Sequence, residues 1–73
     1  MRITYDEKTD TLYIRFSEKK YFQSDELKQN FIVDYDKNQK IIAIEVLHAS
    51  DMLSTDELSS VSFDILKKMK HTA

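Results

Sequence analysis

The chain has no glycine and no proline in its 73 residues. That absence constrains the fold more than any motif does. Glycine is the usual residue wherever φ must be positive, and proline is the usual fixed corner of a turn. Turns here must instead fall on Asn and Asp, which enter the left-handed region at modest cost. The same absence excludes glycine-rich phosphate loops, the P-loop and the dinucleotide fingerprint.

Cysteine is absent too, so neither a disulfide framework nor a thiolate zinc site is available. A chain of this length makes one domain, expected over residues 1–73, and buries only about 60% of its unfolded surface. Association with a second copy is a natural way to gain buried area. The net charge of −2, with both signs interspersed, argues against a binder of the phosphate backbone. No apolar run approaches 18 residues and no charged-then-apolar leader is visible, so a soluble cytoplasmic protein is expected.

Alternation of polar and apolar residues marks the strands. Arg2–Tyr5 alternates, Asp6–Thr9 is a polar break, and Asp10–Phe16 resumes with Leu12, Ile14 and Phe16 on one side. Placing Tyr5 opposite Asp10 sets Ile3 against Leu12. The register shifted by two sets Arg2 against Arg15 and is disfavoured by like charge. Residues 20–27 form an edge-like third strand whose charges discourage pairing with another chain.

The segments Phe31–Tyr35 and Lys40–Leu47 form a hairpin over the link Asp36-Lys37-Asn38-Gln39, with Tyr35 opposite Lys40. Phe31, Val33 and Tyr35 then share a core face with Ile42, Ile44 and Val46. Ile32 and Asp34 share the other face with Ile41, Ala43, Glu45 and Leu47. That second face is half apolar and should be covered by a helix or another subunit. In this register Asp34 falls opposite Ile41, about 13 Å along the strand from Glu45. The paired carboxylates of glycoside hydrolases stand about 5 to 9.5 Å apart, so Asp34 and Glu45 would not form such a pair. Asp36 sits in the turn, where its side chain serves the local backbone.

The last third changes period. Ser54-Thr55-Asp56-Glu57 fits a capping box, with Leu53 and Leu58 as a hydrophobic staple. Leu58, Val61, Ile65 and Met69 recur at helical spacing with Leu66 on the flank, which predicts an amphipathic helix over residues 55–70. Asp56 and Glu57 match its positive end, and Lys67, Lys68 and Lys70 its negative end. Phe63 lies off the stripe and either widens the buried face or marks a contact with another chain. The expected class is α+β: a small antiparallel sheet of four to five strands, about residues 2–47, followed by that helix.

Four side chains are candidate interaction or site residues: Asp34, Asp36, Glu45 and His48. His48 precedes Ser50 and Asp51, but triads are assembled by geometry and not by adjacency, and Ser50 and Asp51 more simply start a turn. His71 falls in a terminal tail. Metal binding would need His48 to converge with Asp34, Asp36 or Asp51, which no spacing demands, so no metal or cofactor is expected. The Tyr and Phe residues alternate along strands, which suits packing better than base stacking.

The ordered set Ile3-Thr4-Tyr5-Asp6, Asp10 to Ser17, Ile32 to Asp36 and Ile41 to Ser50 resembles the YuzE-like family of short prokaryotic proteins, which carry a domain of unknown function. The resemblance covers roughly residues 2 to 51. It departs at the turn after Asp36, where members commonly place glycine and this chain has Asn38-Gln39. The resemblance implies a small antiparallel sheet with helical additions, no established activity, and an antitoxin-like role beside a neighbouring toxin-like protein. Two functions from different classes follow. The favoured one is a non-enzymatic protein-interaction module, self-associating as a dimer or larger homo-oligomer. The rival is a small hydrolase or metal-dependent enzyme using Asp34, Glu45 and His48.

Overall fold

The computed structural model describes residues 1–67. Five antiparallel strands appear where alternation predicts them: β1 (Arg2–Asp6), β2 (Thr11–Arg15), β3 (Gln23–Lys28), β4 (Phe31–Tyr35) and β5 (Ile41–Leu47). They form one sheet in the order β1-β2-β5-β4-β3. The two hairpins β1–β2 and β3–β4 therefore flank β5, which closes the sheet by pairing with β2 and with β4. Residues 16–22 carry the chain from β2 past the ends of β5 and β4. Phe16 and Ser17 donate to the Ile42 carbonyl on the way, and Phe22 donates to that of Tyr35.

The pairings align the side chains in rows. On one face run Ile3, Ile14, Ile44 and Val33, and beside them Tyr5, Leu12, Val46 and Phe31. On the other run Arg2, Arg15, Ala43, Asp34 and Ser24, and beside them Thr4, Tyr13, Glu45, Ile32 and Glu26. The buried core is Val33, Ile42, Ala43, Val46 and Ala49, centred on the middle strands. This matches the expected division into an apolar face and a mixed one.

Both hairpin registers differ from the sequence expectation. β1 and β2 adopt the shifted register, Tyr5 against Leu12 and Arg2 against Arg15. The like charges are tolerated because Glu18 stands between them, 3.4 Å from the Nε of each arginine. The Arg15 guanidinium also donates to the Tyr13 hydroxyl at 3.0 Å and the Lys19 carbonyl at 2.9 Å. Its charge is thus spread over partners that pairwise strand reasoning does not include. In the second hairpin Tyr35 pairs with Ile41, and a register shift then sets Asp34 against Ala43 and Ile32 against Glu45. The extra residue on β5 is Ile42, one of the most deeply buried side chains. A bulge of this kind keeps Ile42 in the core while the turn closes at Asp36 and Lys40.

The third strand begins at Gln23, not residue 20, because Lys20 to Phe22 belong to the crossing connection. A second register shift sits between Glu26 and Lys28, leaving Leu27 largely exposed. β3 is an edge strand, as its charges suggested.

Positive φ occurs at Asp10, Asn30, Gln39 and His48. Asp and Asn take the first two as expected. Gln39 and His48 take the others, so the demand for left-handed corners exceeds the supply of residues suited to them.

The C-terminal helix is the largest correction. After a 3-10 turn at Ala49–Asp51, α1 spans only Thr55–Leu58. The capping box forms as predicted: Glu57 N–H donates to Ser54 Oγ at 3.2 Å and Ser54 N–H to Glu57 Oε1 at 2.8 Å. The helix then stops at Ser59, whose hydroxyl donates to the Asp56 carbonyl at 2.9 Å. Residues 59–67 are not helical, and residues 68–70 of the predicted helix lie outside the described part, as does His71. Ser59, Ser60 and Ser62 offer the backbone alternative hydrogen bonds, and Val61 is β-branched. These local terms outweigh the stripe of Leu58, Val61 and Ile65. The described chain is accordingly mostly β, with a short helix where a long one was expected.

Candidate functional site

Asp34 and Glu45 come together, contrary to the separation expected from the sequence. With Asp34 opposite Ala43, Glu45 lies only two residues further along the adjacent strand and on the same face. Such diagonal neighbours stand about 7–8 Å apart at most, within reach of two carboxyl side chains. Of the two residues by which the offset shrinks, one comes from Tyr35 pairing with Ile41 in place of Lys40 and the other from the bulge at Ile42.

Asp34 is 4% exposed, and its Oδ1 accepts from Ser24 Oγ at 2.6 Å. Ser24 Oγ in turn lies 2.9 Å from the Tyr21 hydroxyl. Burial pushes the Glu45 carboxyl above its ordinary range, and its hydrogen bond with Asp34 and the Asp34 charge push it the same way. The ionised form of Glu45 is thus disfavoured where it stands between adjacent strands, with Tyr13 and Ile32 on either side of it.

Asp36 is equally buried but separate in role. Its Oδ1 accepts from the backbone of Asn38 at 2.8 Å and Lys40 at 3.0 Å, closing the turn as the sequence suggested. Those backbone donors, Lys40 first, hold its carboxyl below the usual range against the opposing effect of burial.

His48 joins neither carboxylate. It ends the run of β5 in a left-handed conformation and caps the 3-10 turn. Three residues beyond Glu45, it is about 10 Å further along the strand direction. Among the described residues, no group of three or more His, Asp or Glu is placed to hold a metal ion.

A second polar cluster was not foreseen. Asp10 Oδ1 accepts from the Tyr5 hydroxyl at 2.6 Å and the Ser50 N–H at 3.0 Å, and Asp10 Oδ2 accepts from Ser50 Oγ at 2.6 Å. Its carbonyl accepts from Ala49 N–H at 3.0 Å. The Ser50 hydroxyl first, then the Tyr5 hydroxyl, hold the Asp10 carboxyl below its ordinary value. The same bond to Asp10 pushes the Tyr5 hydroxyl up to about 12. Ser50 thus serves Asp10, forty residues away in the chain, rather than His48 or Asp51. The available signal was an aspartate at the end of a glycine-free turn, where a left-handed residue was required. A cleft lies alongside, lined by Tyr5, Ser50, Ser54 and Leu58 among others.

The geometry ties three chain segments together at Asp10 and two strands together at Asp34 and Glu45. Asp10, Asp34 and Asp36 each accept from the protein's own donors, although Asp36 Oδ2 is buried without a partner among the described residues. No helix among the described residues is long and apolar enough to cross a membrane.

Comparison with known proteins adds a family to this architecture. No curated protein and no solved structure matches the chain. The model of one family, described as a protein of unknown function (DUF2283), matches residues 2–50, the span from the first strand through Ser50 and its bond to Asp10. By that match, which takes in all five strands and both polar clusters, the chain belongs to the DUF2283 family.

Proposed function

We propose that this protein is a non-enzymatic interaction module that works as a self-associated assembly. One observation carries the reading. Large apolar side chains stay exposed on β1 and on the C-terminal segment: Ile3 at 39%, Val61 at 63%, Phe63 at 66% and Ile65 at 73%. Ile3 and Val61 meet over the same apolar groove, of about 360 Å³, which Leu12, Ile14 and Leu58 also line. Monomeric proteins rarely leave contiguous apolar surface of this kind in water. A chain with so small a core gains most from covering it.

The YuzE-like resemblance implies an antitoxin-like role. In that role the same surface would be offered to a toxin-like protein, with the homo-oligomer as its resting state. The hydrolase reading ranks second. The closeness of Asp34 and Glu45 favours it, but Asp34 is occupied by Ser24 and His48 serves the other end of β5.

Multi-angle light scattering on the purified chain at micromolar to tens-of-micromolar concentrations tests the proposal. A dimer or larger species is expected. A monomer throughout that range would refute it.

A further inference from the structure

The segment after α1 has the polarity of a strand. From Ser60 to Ile65 it reads Ser-Val-Ser-Phe-Asp-Ile, strictly alternating polar and apolar. Ser62 Oγ donates to Asp64 Oδ2 at 3.0 Å, so alternate side chains point the same way, as in an extended chain. Yet these residues pair with no strand, and Val61, Phe63 and Ile65 are all largely exposed. A period-two segment with its apolar side uncovered is a strand without a sheet.

The sheet has two edges. β3 is guarded by Asp25, Glu26 and Lys28 and broken by its register shift. β1 pairs only with β2, runs regularly from Arg2 to Asp6, and carries no proline or bulge. Its outer backbone groups pair with no other backbone among the described residues, and its alternation matches that of the segment.

We infer that Ser60–Ile65 of one copy adds as an antiparallel sixth strand to the β1 edge of a second copy, and that the exchange is reciprocal. This rests on the self-association proposed above and names its mechanism. One register satisfies every position. With Ser62 opposite Thr4, Asp64 falls opposite Arg2 and Ser60 opposite Asp6 on the polar face. Val61 then falls opposite Tyr5, Phe63 opposite Ile3 and Ile65 opposite Met1 on the apolar face. The Asp64–Arg2 pair supplies charge complementarity, and the apolar pairs extend the rows of Ile14 and Leu12 by one strand. Within its own chain, Val61 already lies over the face of the sheet beside Ile3 and Leu12. A backbone lying on the face does not reach the hydrogen-bonding line of the edge. A two-fold arrangement lets each segment turn outward at Ser59 and Ser60 to the neighbour's edge, and the assembly closes at two copies.

The test uses the full chain. Wild type should be a dimer by light scattering. Phe63→Glu should be monomeric with an unchanged circular-dichroism spectrum, and Ile65→Lys gives the same reading should Phe63→Glu fold poorly. Asp64→Arg, which sets a second arginine against Arg2 and leaves the bridge of Arg2 to Glu18 in place, should weaken the dimer about threefold. Each outcome is decisive. A monomeric wild type overturns both this inference and the proposed function. A dimer that survives Phe63→Glu and Ile65→Lys overturns the inference and leaves self-association standing. A dimer that Asp64→Arg leaves as tight as wild type overturns the β1 pairing.

Discussion

Replacing Gln39 by glycine should stabilise the protein. Gln39 sits at φ 64°, the left-handed region, at the end of the turn that joins β4 to β5. For a residue with a Cβ this conformation costs roughly 1–2 kcal/mol, through the approach of Cβ to its own carbonyl. Glycine removes that cost and adds about 0.5–1 kcal/mol of chain entropy to be lost on folding. The difference leaves about 0.5–1 kcal/mol in favour of the variant. Little else changes, because the turn is held by groups the substitution keeps. Gln39 N–H donates to the Asp36 carbonyl, and Asp36 Oδ1 accepts from the N–H groups of Asn38 and Lys40. The Gln39 side chain is exposed. In a domain of this size each kcal/mol moves the midpoint by roughly 4–8 °C, so thermal melts should show a rise of about 2–8 °C. Asn38→Gly is the control. Asn38 does not have positive φ, so glycine there only adds entropy and should lower the midpoint. A Gln39→Gly midpoint equal to or below wild type would refute the strain assigned to this turn.

Ser54→Ala removes the acceptor for Glu57 N–H and should cost about 0.5 kcal/mol, the low end for a cap, because α1 is a single turn; urea melts measure it. Glu45→Gln should raise the urea midpoint at pH 8 and change it little at pH 4. Glu45 has a raised folded pKa, so its contribution is complete below its ordinary 4.5 and is lost as pH rises through the raised value. Gln keeps the shape and carries an N–H that can donate to Asp34 without the charge, and a lower midpoint at pH 8 would contradict this. Ser50→Ala acts in the opposite sense. The Asp10 carboxyl is held below its ordinary 3.8, so the bond to Ser50 stabilises above that pH and is lost as pH falls through the lowered value. The midpoint gap between wild type and Ser50→Ala should therefore be widest at neutral pH and close in acid, as circular dichroism across pH 2–7 would show.

Strand positions were legible because period two is a local property and β-branched and aromatic residues fill the alternating sites. The face of each residue was legible for the same reason, since the shifted registers in both hairpins preserve parity along most of each strand. The registers themselves were not. Pairwise strand reasoning set Arg2 and Arg15 apart, but it does not see Glu18, which reaches them from the connection after β2. Alternation likewise gives no sign of the extra residue at Ile42. The capping box at Ser54 was readable from four residues, whereas the helix length depended on whether the serine-rich run after Leu58 could be paid for by packing. With Val61 and Ile65 exposed, it is not. Asp10 escaped notice because its partners, Tyr5 and Ser50, come from opposite ends of the sheet region.

The carboxyl pair has a meaning that survives the loss of a catalytic role. A slip of β4 against β5 by two residues keeps every side chain on its face, so hydrophobic patterning alone does not forbid it. In the slipped register Asp34 would face Ile41, and Glu45 would stand about 13 Å away along the strand. The two carboxyls would then no longer be neighbours, while Ser24, paired with Asp34 across β3 and β4, would move with it. Burying a carboxyl among apolar side chains is costly, whereas the observed register sets the Glu45 carboxyl beside Asp34 on the same face. The two acids thus discriminate between registers that the apolar rows treat alike. This is a specificity role of the kind buried polar groups serve in coiled coils, bought at the expense of some neutral-pH stability. It also accounts for charged residues in the middle of a sheet face whose centre, Ala43, is fully buried.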